Sequence, residues 1–354
     1  MKSRGPFFIT GFPGFIATKL LGKLAERGGE FVLLVEPRFV KSATAIAEGL
    51  AKASPASRFQ IIEGDITQAD LGIDKAKADR LRKTVRTVYH LAAIYDLEVR
   101  REVAMRINAE GTKNIGDFVA RLEHLDRYNY VSTCYVAGLR QGRILETELE
   151  HSAGFRNFYE ESKYLAEVAV EKLKPFLPVT IFRPSVVVGD SQSGETSKYD
   201  GIYYLIKYLV RAPHLLRIFN VGNHKVRLNL VPVDFVVNAM AALDADPLAT
   251  GKTIALADPN PLTTAELFDV IAENLSGKRS LFTPPAELIK FTLSLPFSPA
   301  ITGLPHCGVP YFFVEQEYDT SRARSLLAAH GIECPSFAAY ADAIITFVRK
   351  HPDI

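Results

Sequence analysis

Two rhythms of hydrophobic positions alternate along the first half of the chain. Short continuous apolar runs suit strands buried on both faces. Between them lie segments whose apolar residues recur every three to four positions, the period of one helix face. Phe7-Phe8-Ile9 is the first run, and Phe15 opens the first helical segment. Phe31 to Val35 (FVLLV), Phe59 to Ile62, Thr87 to His90, Tyr128 to Ser132 and Val179 to Phe182 predict the next strands. Helices are predicted over Val40 to Lys52, with Ala43, Ile46, Ala47 and Leu50 inward, over Arg106 to Leu122, and over Phe158 to Lys174. The alternation predicts an α/β fold with a parallel sheet and crossover helices.

From Asp190 the texture changes. Asp190 to Gly201 (DSQSGETSKYDG) is polar and turn-rich and predicts a mobile loop. Tyr203 to Val210 reads as helix, Arg227 to Val233 (RLNLVPV) as strand, and Asp234 as the N-cap of a following helix. Lys252 to Ala257 fits one more strand. Thr263 and Glu266 have the spacing of a capping box. Pro284 to Val314 is apolar, proline-rich and irregular, and Ser336 to Lys350 is an amphipathic helix. These shifts divide the chain into a first domain, 1–190 with 228–260 returning to it, and a smaller, mostly helical substrate-binding region, 191–227 with 261–354.

The glycine turn Thr10 to Gly14 (TGFPG) gives the first candidate chemistry. It sits between a strand and a helix, the context that a dinucleotide-binding turn needs. Gly11 permits the tight turn, Gly14 lets the backbone approach a pyrophosphate, and Ala17 is small enough for the helix to lie on the sheet. Free N–H groups at the helix start would hold the phosphates.

Tyr159 and Lys163 stand four apart on the predicted long helix and share one face. A phenol with a pKa of about 10 ionises poorly at neutral pH. A nearby ammonium favours the phenolate, so the tyrosine could exchange a proton with a substrate oxygen. Thr133, at the end of the strand before, lies 26 residues ahead of Tyr159 and could donate to the same oxygen; alternatively it bonds its own backbone. A second pair with this spacing, Tyr203 and Lys207, lacks such company and is a decoy.

Composition narrows the classes. In 354 residues, 42 Lys and Arg balance 40 Asp and Glu, which gives no support to a general nucleic-acid binder. Cys134, Cys307 and Cys334 lie far apart, without metal-ligand or disulfide-framework spacing, and suit a reducing compartment. Gly11 and Pro13 interrupt the only apolar run near the start, so a signal peptide is not expected. No apolar stretch reaches the roughly 18 residues of a membrane span. A cytoplasmic protein is the expectation.

Seven signals occur in order: Thr10 to Ala17, Gly64-Asp65-Ile66, His90 to Ala93, Asn108-x-x-Gly111-Thr112-x-Asn114, Ser132-Thr133, Tyr159 to Lys163 and Arg183-Pro184. Over about residues 5 to 260 the chain resembles the extended short-chain dehydrogenase/reductase family. Gly11 to Ile16 (GFPGFI) and Arg183 to Gly194 (RPSVVVGDSQSG) are most similar to its thioester reductase and fatty acyl-CoA reductase branch. The resemblance implies a Rossmann-type doubly wound sheet and an NAD(P)(H)-dependent oxidoreductase acting on a hydrophobic acyl thioester or aldehyde. By the same resemblance, Thr133 would polarise the carbonyl and Tyr159 would be the general acid. Lys163 would lower the tyrosine pKa and bond the nicotinamide ribose, and Asn108 would support a proton relay. Gly11, Phe12, Pro13, Gly14, Phe15 and Ile16 would hold the pyrophosphate. Asp65 and Ile66 would border the adenine, Leu91, Ala92 and Ala93 would pass under the cofactor, and Pro184, Ser185, Val186 and Val187 would line the nicotinamide. For Asp65 a turn-forming role is the plain alternative, as a helix-start role is for Asn108.

Cofactor choice stays open between NADP(H) and NAD(H). Glu36 lies 25 residues after Gly11, where a carboxylate accepts from a ribose 2′-hydroxyl and favours NAD. The branch usually has a basic residue near this point and uses NADPH, and Arg38 and Lys41 follow closely.

The apolar stretch Pro284 to Val314 reads as a wall or lid for a greasy substrate, as a packing or dimer face, or as a patch for peripheral membrane contact. Arg227 matches a diphosphate-binding position in nucleotide-sugar members, with a surface ion pair as the alternative. A homodimer through the helices near Arg106 and Phe158 is a family expectation. Rival functions are a hydroxysteroid- or hydroxyacyl-type dehydrogenase, a nucleotide-sugar epimerase or dehydratase, and a non-catalytic dinucleotide-binding redox sensor. The joint presence of Thr133, Tyr159 and Lys163 argues for an enzyme.

Overall fold

The computed structural model describes residues 5–211, 219–296, 298 and 306–354. Seven strands form one parallel sheet: β1 (Phe7–Thr10), β2 (Gly29–Val35), β3 (Ser57–Glu63), β4 (Thr87–His90), β5 (Arg127–Val131), β7 (Val179–Pro184) and β10 (Thr253–Leu256). Their order is β10-β7-β5-β4-β1-β2-β3, so the connections reverse direction at β1 and β4. This is the doubly wound Rossmann-type arrangement, in which ligands bind outside the carboxyl ends of the strands at that reversal. In register, Phe7 pairs with Phe31 and Phe31 with Phe59. Their rings stack at 5.1 and 5.3 Å, which fixes the β1–β2–β3 ladder from the side-chain face.

Each sheet face is covered by its own core. On one, Leu20, Leu21 and Leu24 of the helix Phe15–Ala25 pack with Val236, Met240 and Leu243 of the helix Val233–Asp244. On the other, Ile115 and Phe118 meet Ala166 and Val170 of the helix Phe158–Glu171. Each fully buried side chain of this size contributes about 1.5–3 kcal/mol. A third, mostly helical cluster joins the helices Ile202–Arg211, Thr264–Ser276 and Phe337–Lys350 through Ile206, Phe268, Ile271 and Ile344. Two short pairs complete the strands: β6 (Gly142–Ile144) with β11 (Gln316–Tyr318), and β8 (Val186–Val188) with β9 (Leu230–Pro232).

Several local expectations change in three dimensions. The helix expected from Arg106 starts at Arg101, passes through a π turn at Met105–Glu110 and ends at Val119. The strand expected over 227–233 shortens to β9. Pro232, not Asp234, is the N-cap of the next helix. The Asp234 carboxylate instead accepts from the Ser191 backbone N–H (2.8 Å) and hydroxyl (2.7 Å). That contact, with the Lys19–Glu195 ion pair at 2.6 Å, braces the 190–201 segment expected to be a mobile loop. The capping box at Thr263 and Glu266 is present. Of the apolar stretch 284–314, Ala286–Ser294 is helix and His306–Phe312 a 3-10 turn. Phe297, Ile301 and Leu304 lie outside the described residues. Among the described residues, no helix is long and apolar enough to cross a membrane, and no cluster of His, Cys, Asp or Glu could hold a metal ion.

Candidate active site

A cleft of about 600 Å³ opens at the carboxyl ends of β1, β2, β4, β5 and β7. Gly11 to Ile16 form its floor, where β1 turns into the first helix. Gly11 has φ +87°, and a Cβ there would lie 2.7 Å from the Ala92 nitrogen and the Leu91 carbonyl carbon. Gly14 serves the turn itself: its N–H donates to Gly11 O at 2.8 Å, and a Cβ would meet that oxygen at 2.7 Å. The first helical bond runs from Thr18 N to Gly14 O (2.9 Å), so Phe15, Ile16 and Ala17 have no helix carbonyl to bond. All three residues line the cleft, and a helix start with unpaired N–H groups is suited to an anion such as a pyrophosphate. This cradle fits a nicotinamide dinucleotide.

Other expected cofactor residues line the same cleft: Glu36, Arg38, Ile66, Leu91, Ala92, Ala93 and Pro184 to Val187. Glu36 and Arg38 form an ion pair at 2.7 Å, and the Arg38 guanidinium lies 4.6 Å from the centre of the Phe39 ring. The pair presents both signs of charge to the cleft at the end of β2. Asp65 behaves differently. Its carboxylate accepts from Thr67 N at 2.8 Å and closes its own turn, while neighbouring Gly64 and Ile66 line the cleft.

Thr133, Tyr159 and Lys163 share the opposite wall. Thr133 ends β5 as the N-cap of the short turn Cys134–Ala137, accepting from Tyr135 N at 3.2 Å. Asn157 caps the helix that carries the other two, accepting from Glu160 N at 3.0 Å. Tyr159 is 7% exposed, and the Tyr95 ring meets it edge-on at 5.1 Å. Burial pushes the Tyr159 phenol up, and a hydrogen bond from Thr133 pulls it back toward ionisation. Lys163 donates to Tyr130 Oη (2.9 Å) and Val131 O (2.8 Å). Burial brings it down to about 7, while Glu167 one turn further on favours the ammonium. The Thr133 hydroxyl is thus one group that eases Tyr159 ionisation.

Asn108 lies in the π turn and is buried outside the cleft lining. Its amide oxygen accepts from Ile94 N at 2.8 Å, and its NH₂ donates to Ile94 O at 3.2 Å and Ser162 Oγ at 2.9 Å. It ties the segment after β4 to the helix of Tyr159. Arg227 sits in its plainer role, paired with Glu317 at 3.5 Å. Tyr203 and Lys207 bond Gly189 N and Pro352 O, away from the cleft.

Sequence reasoning missed three parts of the site. Tyr130 has no spacing relation to Lys163. Glu167 takes hydrogen bonds from Ser132 and from Arg183 Nε (2.8 Å), a buried knot linking β5, β7 and the Tyr159 helix. A second cavity of about 130 Å³ adjoins the cleft and shares Tyr95, Tyr135, Val186, Lys198 and Asp200 with it. Tyr311 and Phe312, from the apolar C-terminal stretch, close its far side. Tyr311 is anchored there by a 2.7 Å hydrogen bond to Glu160, the neighbour of Tyr159.

A doubly wound sheet with a glycine-turn cradle and a Thr-Tyr-Lys wall defines a dinucleotide-binding protein of the extended short-chain dehydrogenase/reductase type. The chain belongs to the Male sterility protein family of NAD-binding domains, whose model matches residues 9–240. It is 29% identical over 280 residues to a fatty acyl-CoA reductase (wat) of Drosophila melanogaster, covering 68% of this chain and 54% of that protein. It is 26% identical over 257 residues to the carboxylic acid reductase of Segniliparus rugosus, covering 65% and 22%. It therefore spans only part of these relatives. In fold it is similar to the terminal R domain of the myxalamid PKS-NRPS pathway (TM-score 0.85, 24% identity, 100% of this chain and 92% of that one).

Proposed function

We propose that this chain is an NAD(P)H-dependent reductase of acyl thioesters or aldehydes. The observation that carries the reading is the convergence of Thr133, Tyr159 and Lys163 on one wall of the cleft whose floor is the glycine turn. A reduced nicotinamide, when bound, supplies hydride to the substrate carbonyl carbon. Tyr159 gives its phenolic proton to the carbonyl oxygen as charge builds there. Thr133 donates a hydrogen bond to the same oxygen. Lys163 stabilises the phenolate that remains. With a thioester, the hemithioacetal so formed loses its thiol and leaves an aldehyde. The names of the reductase relatives support this direction over oxidation of an alcohol.

The region 191–227 with 261–354 is the side that takes the acyl group in this reading. The aromatic cavity next to Tyr159, closed by Tyr311 and Phe312, supports that assignment. Leu281, Phe282, Leu288 and Phe291 remain exposed near it in the chain and offer an apolar approach for a greasy substrate or a lipid surface.

The experiment is oxidation of NADH and of NADPH by the purified chain with acyl-CoA thioesters and aldehydes of several lengths, alongside Tyr159→Phe. The expected result is turnover by the native chain and a fall in kcat of about 10²–10⁴-fold in the variant, with dinucleotide affinity kept within about twofold. Normal turnover in Tyr159→Phe would overturn the assignment.

A further inference from the structure

A line of buried side chains connects the glycine turn to Lys163. The Ala92 N–H donates to Thr10 Oγ1 at 3.2 Å. Thr10 Oγ1 meets His90 Nδ1 at 2.7 Å, and His90 Nε2 meets Thr112 Oγ1 at 3.0 Å. The His90 ring packs against the Tyr130 ring, centroids 5.5 Å apart, and the Tyr130 hydroxyl accepts from Lys163 Nζ at 2.9 Å. Thr10 and His90 are 0% exposed, Thr112 and Tyr130 1%, and Lys163 3%. The line crosses β1, β4, the helix Gly111–Val119, β5 and the helix Phe158–Glu171.

A neutral imidazole has one N–H and one bare nitrogen, so it donates to one of the two threonine hydroxyls and accepts from the other, and its ring is held from both sides. Burial holds His90 down to about 3, so the ring stays neutral near neutral pH. The Tyr130 oxygen takes one Lys163 N–H. Lys163 spends a second N–H on Val131 O and keeps the third for the cleft. The Tyr130 ring adds a cation–π contact, with its centre 4.5 Å from the ammonium.

We propose that Tyr130 is the positioning residue of Lys163, holding it as an ammonium aimed into the cleft, and that the His90 ring, fixed between Thr10 and Thr112, braces Tyr130 from the glycine-turn side. This rests on the reading that Lys163 serves the Tyr159 site. The titratable groups facing Lys163 are Tyr130, His90, Tyr159 and Glu167, of which Glu167 favours the ammonium. Loss of the Tyr130 oxygen removes one acceptor from an ammonium already destabilised by burial, so the neutral amine gains.

The test follows Lys163 in the full chain without cofactor, by NMR titration of lysine labelled with ¹³C at Cε, assigned with Lys163→Arg. In Tyr130→Phe the Lys163 midpoint is expected to fall by about one pH unit, the worth of one charge-assisted hydrogen bond. Tyr128→Phe, two residues away on the same strand and with no partner for its hydroxyl among the described residues, is expected to leave the midpoint in place. A Tyr130→Phe midpoint within about 0.3 unit of native overturns the proposal. If Tyr130→Phe does not fold, 3-fluorotyrosine at position 130 gives the answer in the native sequence. Its ¹⁹F signal is expected to titrate with Lys163 and to become flat in Lys163→Met; a flat signal before that change overturns the proposal. With turnover, the alkaline fall of kcat/KM in Tyr130→Phe should move down with the lysine midpoint, which a purely structural role would not produce. Because the NMR readout needs no substrate, failure of acyl reduction and failure of this inference are told apart.

Discussion

Gly11→Ala tests whether the turn is built for close approach. The alanine would have to keep φ +87°, a left-handed conformation that costs an L-residue about 1–2 kcal/mol. Its Cβ would sit 2.7 Å from two backbone atoms of Leu91 and Ala92, and backbone cannot swing aside as a flexible side chain does. The Leu91–Ala92 segment is also pinned: Leu91 N donates to Thr10 O at 3.3 Å and Ala92 N to Thr10 Oγ1 at 3.2 Å. Relieving the clash therefore costs about 1–3 kcal/mol of overpacking and about 1 kcal/mol of weakened hydrogen bonding. The expected loss of stability is about 3–6 kcal/mol, read by urea denaturation. Gly251→Ala is the internal control. It has φ +74° but nothing within 4 Å of its added Cβ, so only the conformational cost of about 1–2 kcal/mol applies. At the cleft, a turn displaced from its cradle should weaken dinucleotide binding about 30-fold or more by calorimetry, some 2 kcal/mol. The reasoning is refuted if Gly11→Ala is no less stable than Gly251→Ala and binds dinucleotide normally.

The Glu36–Arg38 pair should set cofactor preference. Arg38→Ala is expected to weaken NADPH relative to NADH about tenfold, the worth of one charge-assisted contact to a phosphate, and Glu36→Gln to strengthen NADPH; equal effects on both dinucleotides would show that neither residue reads the 2′ position. His90 should make the fold acid-sensitive. Its pKa is lowered from 6.5 to about 3 by burial, so the unfolded chain binds the extra proton first. The stability it protects is complete above pH 6.5 and is lost as pH falls toward 3, by up to about 5 kcal/mol. His90→Gln should flatten the denaturation profile across that window, and an unchanged slope would contradict a buried neutral imidazole.

Strands and helices of the first half were legible because their signals are local. FVLLV makes a strand buried on both faces in any sheet, and the Thr263–Glu266 box closes on itself within one turn. The glycine turn was equally readable, since strand, glycine and helix follow one another without a gap. Tyr159 and Lys163 share a helix face by spacing alone, and Thr133 needed only its place at a strand end.

Other assignments depended on what stands opposite a side chain. Asp234 looked like a cap, but Pro232 holds that position and the carboxylate reaches across to Ser191. Asp65 carries a motif that suits a cofactor and spends its oxygens on its own turn. Asn108 joins Ile94 to Ser162, 54 residues away. Lys163 meets the Tyr130 hydroxyl across 33 residues, a contact no spacing rule encodes.

What the order of residues determined by itself was the periodic part: which segments bury one face or two, where the chain must turn, and which residue types stand at the strand ends. Folding decided the partners. Hydrophobic periodicity is a property of neighbours along the chain, whereas the state of a buried tyrosine or lysine depends on the donors, acceptors and dielectric that distant strands bring to it.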